Sequence, residues 1–147
     1  MGMSNDFNSS NIQLTRSEIR EQAFMLLFSR NFDDEPLDDV LDDKAEMFEG
    51  GVCGYAQAVV TAIEEKYAEL DDIISKYLKK GWSISRISKI SLAILRLAVY
   101  EIKYLDSIPA SVSINEAVEL AKKYTIDESG FVNGVLGAFV RDNSIED

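Results

Sequence analysis

The segment from Ile90 to Leu105 constrains the fold most, because a helix formed by it would carry apolar side chains on nearly all sides. Such a helix is stable only when other elements surround it, so we predict that it is central and buried. Arg96 and Glu101 lie within it, and a buried charge needs a partner because its desolvation is unfavourable. Glu116 or Glu119 of the next helix could pair with Arg96, and the sequence does not choose between them.

The rest of the chain is also predicted to be helical, since it has only two prolines and few segments with the alternation typical of strands. Thr15 followed by Glu18 is a capping-box pattern, which predicts a helix over about residues 16–30. Ser113 with Glu116 is the same pattern and predicts the start of a later helix. Further helices are predicted from Pro36 onward, after Gly51 as far as Tyr67, from Leu70 to Leu78, and from about Asp127–Ser129 to Arg141. The prediction is an all-α fold, a single compact domain of about seven helices.

The residue composition excludes several kinds of catalytic and metal site. The 147 residues include no histidine and one cysteine, Cys53, so a Ser-His-Asp triad, a Cys-His pair, an intrachain disulfide and a Cys-based zinc site are excluded. The glycines of residues 50–54 lack the lysine of a phosphate-binding loop. We predict that the chain is not an enzyme, has no cofactor or metal, and keeps Cys53 as a small buried side chain.

The acidic run DDEPLDDVLDD at residues 33–43 raises the question of a cation site. It lacks the alternating ligands, central glycine and terminal glutamate of an EF-hand loop. Asp38 and Asp42 are four residues apart, as are Asp39 and Asp43, so each pair would share one face of a helix. We interpret the run as a solvent-exposed helix face.

The ends of the chain and its hydropathy predict a cytoplasmic protein without membrane contact. No run of about 18 apolar residues is long enough to span a bilayer. The N-terminus lacks the cationic and apolar segments of a secretory signal. Residues 1–14 are expected to be a disordered tail, followed by the helical domain at residues 15–143.

The formal net charge of −11 opposes binding to nucleic acid through the overall field of the protein. RNA binding would therefore need a local basic patch, a partner, or both. Arg16 and Arg20 are four residues apart and share a face of the first predicted helix. Lys122 and Lys123 end a later helix, where cations also complement the helix dipole. Taken alone, these residues are a weak indication of RNA binding.

Four segments of the chain follow one another in a characteristic order, and they extend the interpretation. They are REQAFMLLFS, ILRLAVYEI, INEAVELAKKY and FVNGVLGAF, at residues 20–29, 94–102, 114–124 and 131–139. From about Thr15 to Asn143 the chain resembles the NusB family of transcription antitermination factors. The INEA, AK and FVNGVL motifs, in this order and spacing, are the most specific part of the resemblance.

The resemblance implies an all-helical fold of two small bundles and a role in transcription. It implies binding to a boxA-type RNA together with NusE, a ribosomal protein of the small subunit. In the resulting antitermination complex, RNA polymerase reads through terminators, notably in ribosomal RNA operons. The RNA-binding residues implied are Arg16, Arg20, Lys122, Ser129, Gly130 and Phe131. Phe131 could stack on an unpaired base, or it could be a core residue that orients the last helix.

The chain has less positive charge than the family pattern at two places. Residues 17–19 contain no arginine between Arg16 and Arg20, where the family often has a denser cluster. Gly130 stands where the family commonly has a lysine before FVNG. We therefore expect weak RNA binding by the chain alone and dependence on its basic partner.

Two other functions are considered for a chain with this sequence. The chain could be a helical protein-interaction module of the same fold without direct RNA contact. It could instead be a NusB-like domain of a ribosomal RNA methyltransferase, but the sequence has no α/β half to bind the cofactor, and we do not expect this activity. Some members of the family self-associate, so a homodimer is also left open.

Overall fold

The computed structural model describes residues 14–48 and 50–145, and within these ranges every regular element is a helix. The chain divides into two compact units, residues 1–65 and 66–147. The predicted all-α fold with two small bundles is confirmed, whereas the expected tail falls almost wholly on residues 1–13, outside the described ranges. The helices in the described part are α1 (Arg16–Ser29), α2 (Leu37–Lys44), α3 (Gly54–Glu64), α4 (Tyr67–Lys76), α5 (Lys89–Tyr104), α6 (Ala110–Tyr124) and α7 (Ser129–Asp142).

The first helix begins with the predicted capping box. Thr15 Oγ1 accepts a hydrogen bond from the Glu18 amide at 3.0 Å, and Glu18 Oε1 accepts one from the Thr15 amide at 2.8 Å. These bonds satisfy amide groups that a helix start leaves without intrahelical acceptors. The α-helix ends at Ser29, and a 3₁₀ turn over Arg30–Phe32 continues it. The prediction for this helix is confirmed to within one residue.

Helices α1 and α3 pack together in the first unit. The amide of Cys53, the residue before α3, donates a buried hydrogen bond of 2.9 Å to Gln22 Oε1 on α1. Near the other ends of the two helices, Arg30 Nε lies 2.6 Å from Glu64 Oε2. Cys53 is completely buried, and this burial raises the pKa of its thiol. The prediction of a small buried cysteine is confirmed.

The acidic run forms most of helix α2 and the segment that leads into it. The carbonyl of Pro36 accepts hydrogen bonds from the amides of Asp39 and Val40 at 3.0 and 3.2 Å, which begins the helix. Asp38, Asp39 and Asp42 are exposed, whereas Val40 is completely buried. The interpretation as a solvent-exposed acidic face is therefore confirmed for these three aspartates. In the described ranges, no group of three His, Cys, Asp or Glu residues is placed to hold a metal ion.

One predicted boundary was wrong, because the third helix does not reach Tyr67. Helix α3 ends at Glu64, and Tyr67 is the first residue of α4 in the second unit. Its ring lies beneath the guanidinium of Arg96, 4.3 Å from the Arg96 Cζ to the ring centroid. In the sequence, Tyr67 follows the spacing of the apolar residues of α3. In the structure it lies on α4 and contacts Arg96 of α5.

Helix α5 is the buried centre of the second unit, as predicted. It packs against α4, α6 and α7. Its side chains are buried on nearly every side, and Leu95 and Val99 are completely inaccessible to solvent. The described part of the chain has no helix long and apolar enough to cross a membrane.

The partner expected for Arg96 was wrong. Arg96 forms a bidentate ion pair with Asp71 on α4, with Nε–Oδ1 and Nη2–Oδ2 distances of 2.8 and 2.7 Å. The guanidinium therefore faces α4, and Glu116 and Glu119 on α6 are not its partners. Glu101, which is only 1% exposed, accepts a hydrogen bond of 2.7 Å from the Ser113 hydroxyl.

The second predicted capping box was also wrong. Helix α6 begins at Ala110, after Pro109, whose carbonyl accepts hydrogen bonds from the amides of Val112 and Ser113. Ser113 therefore lies inside the helix, and its hydroxyl donates to Glu101. Because the buried carboxylate of Glu101 needs a hydrogen-bond donor, the Ser113 hydroxyl bonds to it instead of capping the helix.

We predict that Asp71→Asn lowers the free energy of unfolding by about 1–2 kcal/mol, between the values typical of exposed and buried ion pairs. Asp71 and Arg96 are 26% and 15% exposed, so water screens the pair only in part. Asp72→Asn is the matched control, because Asp72 is its exposed neighbour on the same helix. Urea denaturation of both variants gives the measurement, and equal stability of the two would contradict the prediction.

Candidate nucleic-acid interface

The six residues predicted to bind RNA belong to both units of the chain. Arg16 and Arg20 lie on α1 in the first unit. The other four lie at the end of α6 and the start of α7 in the second unit: Lys122, Ser129, Gly130 and Phe131.

The two arginines of α1 differ in exposure. Arg16, the first residue of the helix, is exposed. A cation at this end opposes the helix dipole, so Arg16 is not explained by helix stability. Arg20 is only 4% exposed, and its Nη1 donates a hydrogen bond of 3.3 Å to the Arg16 carbonyl. Of the two, Arg16 is the one whose side chain is available to a phosphate.

The α6–α7 turn, residues 125–128, separates the two groups of candidate residues in the second unit. Lys122 and Lys123 are exposed in the last turn of α6. Lys122 Nζ lies 3.4 Å from Glu119 Oε2, and both side chains are mostly exposed, so this pair holds the lysine only weakly. The Lys122 ammonium is therefore free to exchange Glu119 for another anion.

Hydrogen bonds fix both ends of the α6–α7 turn. The Thr125 hydroxyl donates to the Ala121 carbonyl at 2.6 Å and accepts from the Glu128 amide at 3.1 Å. Glu128 Oε1 accepts from the hydroxyls of Ser88 and Ser91, each at 2.6 Å. The turn is thus tied to α6 through Thr125 and to the start of α5 through Glu128.

The first turn of α7 presents Gly130 outward. Gly130 is exposed, and a Cβ added there would meet no described atom within 4 Å. A larger residue therefore fits at this position. Ser129 and Phe131 are half-buried, and Val132 is completely buried. The partial exposure of Phe131 is compatible with both base stacking and a role in the core.

Two residues of the α6–α7 turn were missed by the sequence reasoning. Ile126 is fully exposed. It was missed because no neighbouring apolar residues at helical spacing mark its position in the sequence. Glu128 directly precedes α7. An acidic residue just before a predicted helix complements the helix dipole, and this could have indicated a structural role for Glu128. Its two serine partners lie about forty residues earlier in the sequence, and their pairing had no local signal.

Acidic and basic side chains are mixed around the α6–α7 turn. Lys122 and Lys123 are exposed, and so are Glu119 and Asp127, so acidic side chains offset the positive charge of the two lysines. The carboxylate of Glu128 is directed into two hydroxyl donors. The geometry offers a few point contacts to phosphate or base rather than a continuous basic surface.

The second unit also has a polar surface cluster and a pocket. Lys103 donates a hydrogen bond of 2.6 Å to Glu69, which lowers the pKa of that carboxyl, and the Tyr104 hydroxyl donates to the same oxygen. A pocket of about 400 Å³ has Lys76 and Asp106 among its lining residues. The cluster satisfies its own charges and the pocket lining carries both signs, so neither indicates a particular ligand.

Comparison with known proteins extends these observations. The sequence matches the model of the NusB family over residues 17–141. It is 49% identical to the transcription antitermination protein NusB of Agathobacter rectalis over 134 residues, which cover 86% of this chain and 99% of that protein. The NusB of Lactiplantibacillus plantarum is 39% identical over 138 residues, covering 90% and 99%.

Solved structures give the same result. The NusB of T. maritima superposes with a TM-score of 0.78 at 36% identity, covering 89% of this chain and 94% of that one. A crystal structure of antitermination factors NusB and NusE in complex with double-stranded RNA gives a TM-score of 0.75 at 30% identity, covering 86% and 96%. The names of these relatives describe regulation of transcription, which agrees with the prediction that the chain is not an enzyme. With the family model matched over residues 17–141 and relatives aligned over most of their length, the chain belongs to the NusB family.

Proposed function

We propose that this protein is a transcription antitermination factor that binds boxA-type RNA together with NusE. In the resulting complex, RNA polymerase reads through terminators, notably in ribosomal RNA operons. The observation that carries the proposal is the 49% identity with a transcription antitermination protein over 99% of its length. The solved complex of a relative with NusE and RNA supports the choice of partners. The proposed activity implies action in the cytoplasm, where bacterial transcription occurs.

The RNA contacts in this proposal come from five of the six candidate residues, whereas Arg20 has a supporting role. Arg16 and Lys122 supply exposed cations for phosphate groups. Phe131 supplies a partly exposed ring for an unpaired base. Ser129 and Gly130 let the RNA approach the first turn of α7. Arg20 is buried and supports the start of α1 through its bond to the Arg16 carbonyl.

NusE is required for affinity in this proposal because the chain has a net charge of −11. The exposed cations among the candidate residues are few, and each phosphate contact contributes separately to affinity. A basic partner bound beside the RNA would supply the missing positive charge. The joint complex would then bind RNA more tightly than this chain alone.

A protein-interaction module without RNA contact is the second candidate function. The burial of Arg20, the exposed Asp127 and the glycine at position 130 all favour it, because each reduces positive charge available to RNA. In that case the chain would bind NusE but leave the RNA affinity of NusE unchanged.

The main experiment titrates a labelled boxA RNA with the protein, with and without NusE, at low and moderate salt. We expect Arg16→Ala and Lys122→Ala each to weaken the joint complex about fivefold, which corresponds to about 1 kcal/mol for one solvent-exposed charged contact. Each should also reduce the slope of log affinity against log salt by about 0.7–1. Lys80→Ala is the matched control, since Lys80 is exposed and lies outside the candidate residues.

Two outcomes of this titration count against the proposal. If RNA affinity is the same with and without this protein, the interaction-module function is favoured. If all three alanine variants lose affinity equally, the contacts are not local, and the assignment of Arg16 and Lys122 is wrong.

The role of Phe131 can be tested by Phe131→Leu, which keeps an apolar side chain and removes the aromatic ring. Stacking of one base contributes about 1–3 kcal/mol. We therefore expect a loss of RNA affinity of about fivefold or more, with a change in the free energy of unfolding below about 1.5 kcal/mol. Unchanged RNA affinity together with lower stability would assign Phe131 to the core instead.

Adding charge at position 130 should strengthen RNA binding. Gly130 lies in a helix with open space at its Cβ, so Gly130→Lys adds a cation without a steric clash. We expect the affinity of the joint complex to rise about fivefold and the salt slope to rise by about 0.7–1. Gly130→Gln is the control for the change in helix stability that follows from replacing a glycine in the first turn of α7. An equal gain from both variants would mean that helix stability, not charge, is responsible.

A further inference from the structure

A set of hydrogen bonds outside the six candidate residues fixes the conformation of the α6–α7 turn. We call Glu128, Ser88 and Ser91 the serine clamp. Ser88 is the residue before α5, and its hydroxyl accepts a hydrogen bond from the Ser91 amide at 3.0 Å while donating to Glu128. Ser91 is completely buried and donates its own hydroxyl proton to the same carboxylate oxygen. One carboxylate therefore joins the starts of α5 and α7.

The geometry of the serine clamp is that of strong hydrogen bonds. Both O–H···O distances are 2.6 Å, in the range of bonds between a hydroxyl and an ionised carboxylate. The negative charge lies at the N-terminal ends of two helices, where their dipoles stabilise it. The clamp is anchored on α5, the most buried helix of the second unit. The turn is therefore connected to the most buried helix of the unit.

The residues between the two anchors are exposed. Thr125 fixes one end of the turn to α6 and Glu128 fixes the other to α5, whereas Ile126 and Asp127 are exposed to solvent. The first turn of α7 continues directly from Glu128 into Gly130 and beyond. The position of this candidate RNA-binding segment therefore depends on the serine clamp.

We propose that Glu128 is a positioning residue for RNA binding, and that the serine clamp holds the α6–α7 turn and the first turn of α7 in the conformation that receives RNA. The inference rests on the proposed function. A segment that is only partly in its binding conformation loses apparent affinity in proportion to that fraction. The clamp has a second effect on the same surface, because the two hydroxyl donors direct the Glu128 charge toward α5.

The test uses Ser91→Ala in the full-length protein, with NusE and labelled boxA RNA. This variant removes one bond of the clamp, keeps the charge of Glu128, and leaves the Ser88 cap of α5 in place. We expect hydrogen exchange of the amides of residues 126–131 to become faster, and affinity for RNA to fall about fivefold if the ordered fraction falls to about one fifth. Adding Ser88→Ala should increase both effects.

Ser113→Ala is the matched control for Ser91→Ala. Ser113 is also a buried serine on a helix of the second unit, and its hydroxyl also donates to a carboxylate, that of Glu101. The two variants remove the same oxygen atom from similar surroundings. If loss of stability alone reduced RNA binding, both would reduce it, whereas positioning predicts that Ser113→Ala leaves RNA affinity and exchange at residues 126–131 unchanged.

A second pair of variants separates positioning from charge. Glu128→Gln and Glu128→Ala both remove the negative charge, but only glutamine keeps an oxygen that can accept from the two serines. Positioning predicts that Glu128→Ala binds RNA about fivefold more weakly than Glu128→Gln. Equal affinity of these two variants would overturn the inference, as would wild-type affinity in Ser91→Ala.

The same titration distinguishes failure of this inference from failure of the proposed function. If the wild-type protein contributes nothing to RNA binding in the presence of NusE, both are wrong. If the wild-type protein binds RNA and Ser91→Ala binds equally well, only the positioning role is wrong, and the proposed function stands.

Discussion

Burial of α5 is the constraint on which the second unit depends. Its apolar side chains point in nearly every direction, so α4, α6 and α7 must all cover it. The hydrophobic effect that drives this burial is non-directional and does not by itself fix how the surrounding helices are rotated or shifted. Directional contacts are needed to select one arrangement, and polar side chains on α5 itself supply several of them.

Three polar side chains of α5 each bond to a different neighbouring element. Arg96 forms its ion pair with Asp71 on α4, Glu101 accepts a hydrogen bond from Ser113 on α6, and Ser91 donates one to Glu128, which directly precedes α7. A buried polar group without a hydrogen-bond partner is destabilising. A neighbouring helix that shifted along α5 would therefore lose these hydrogen bonds as well as its apolar contacts. The three bonds thus fix the register of α4, α6 and α7 on the apolar surface that they share.

The sequence predicted features that depend on local chemistry, and missed those that depend on distant partners. The capping box of Thr15 and the apolar circumference of α5 are readable within a few turns of helix, and both predictions were confirmed. The capping role of Ser113 and the partner of Arg96 were wrong, because Glu101 and Asp71 compete for these side chains across the unit. For the candidate interface, composition predicted that positive charge is sparse, whereas the burial of Arg20 required the structure.

Sparse charge changes what an RNA-binding surface must do. A surface rich in lysine and arginine can bind in many orientations, because the attraction to phosphate is long-ranged and non-specific. Here the exposed cations of the candidate residues are few, so each contact contributes fully only if it is held in place before RNA arrives. Glu128 attaches the α6–α7 turn to α5, the most buried helix of the unit, and we propose that this attachment holds the contacts in place. If the proposed function holds, residues that do not contact RNA, such as the buried Ser91, would determine how well the exposed residues bind it.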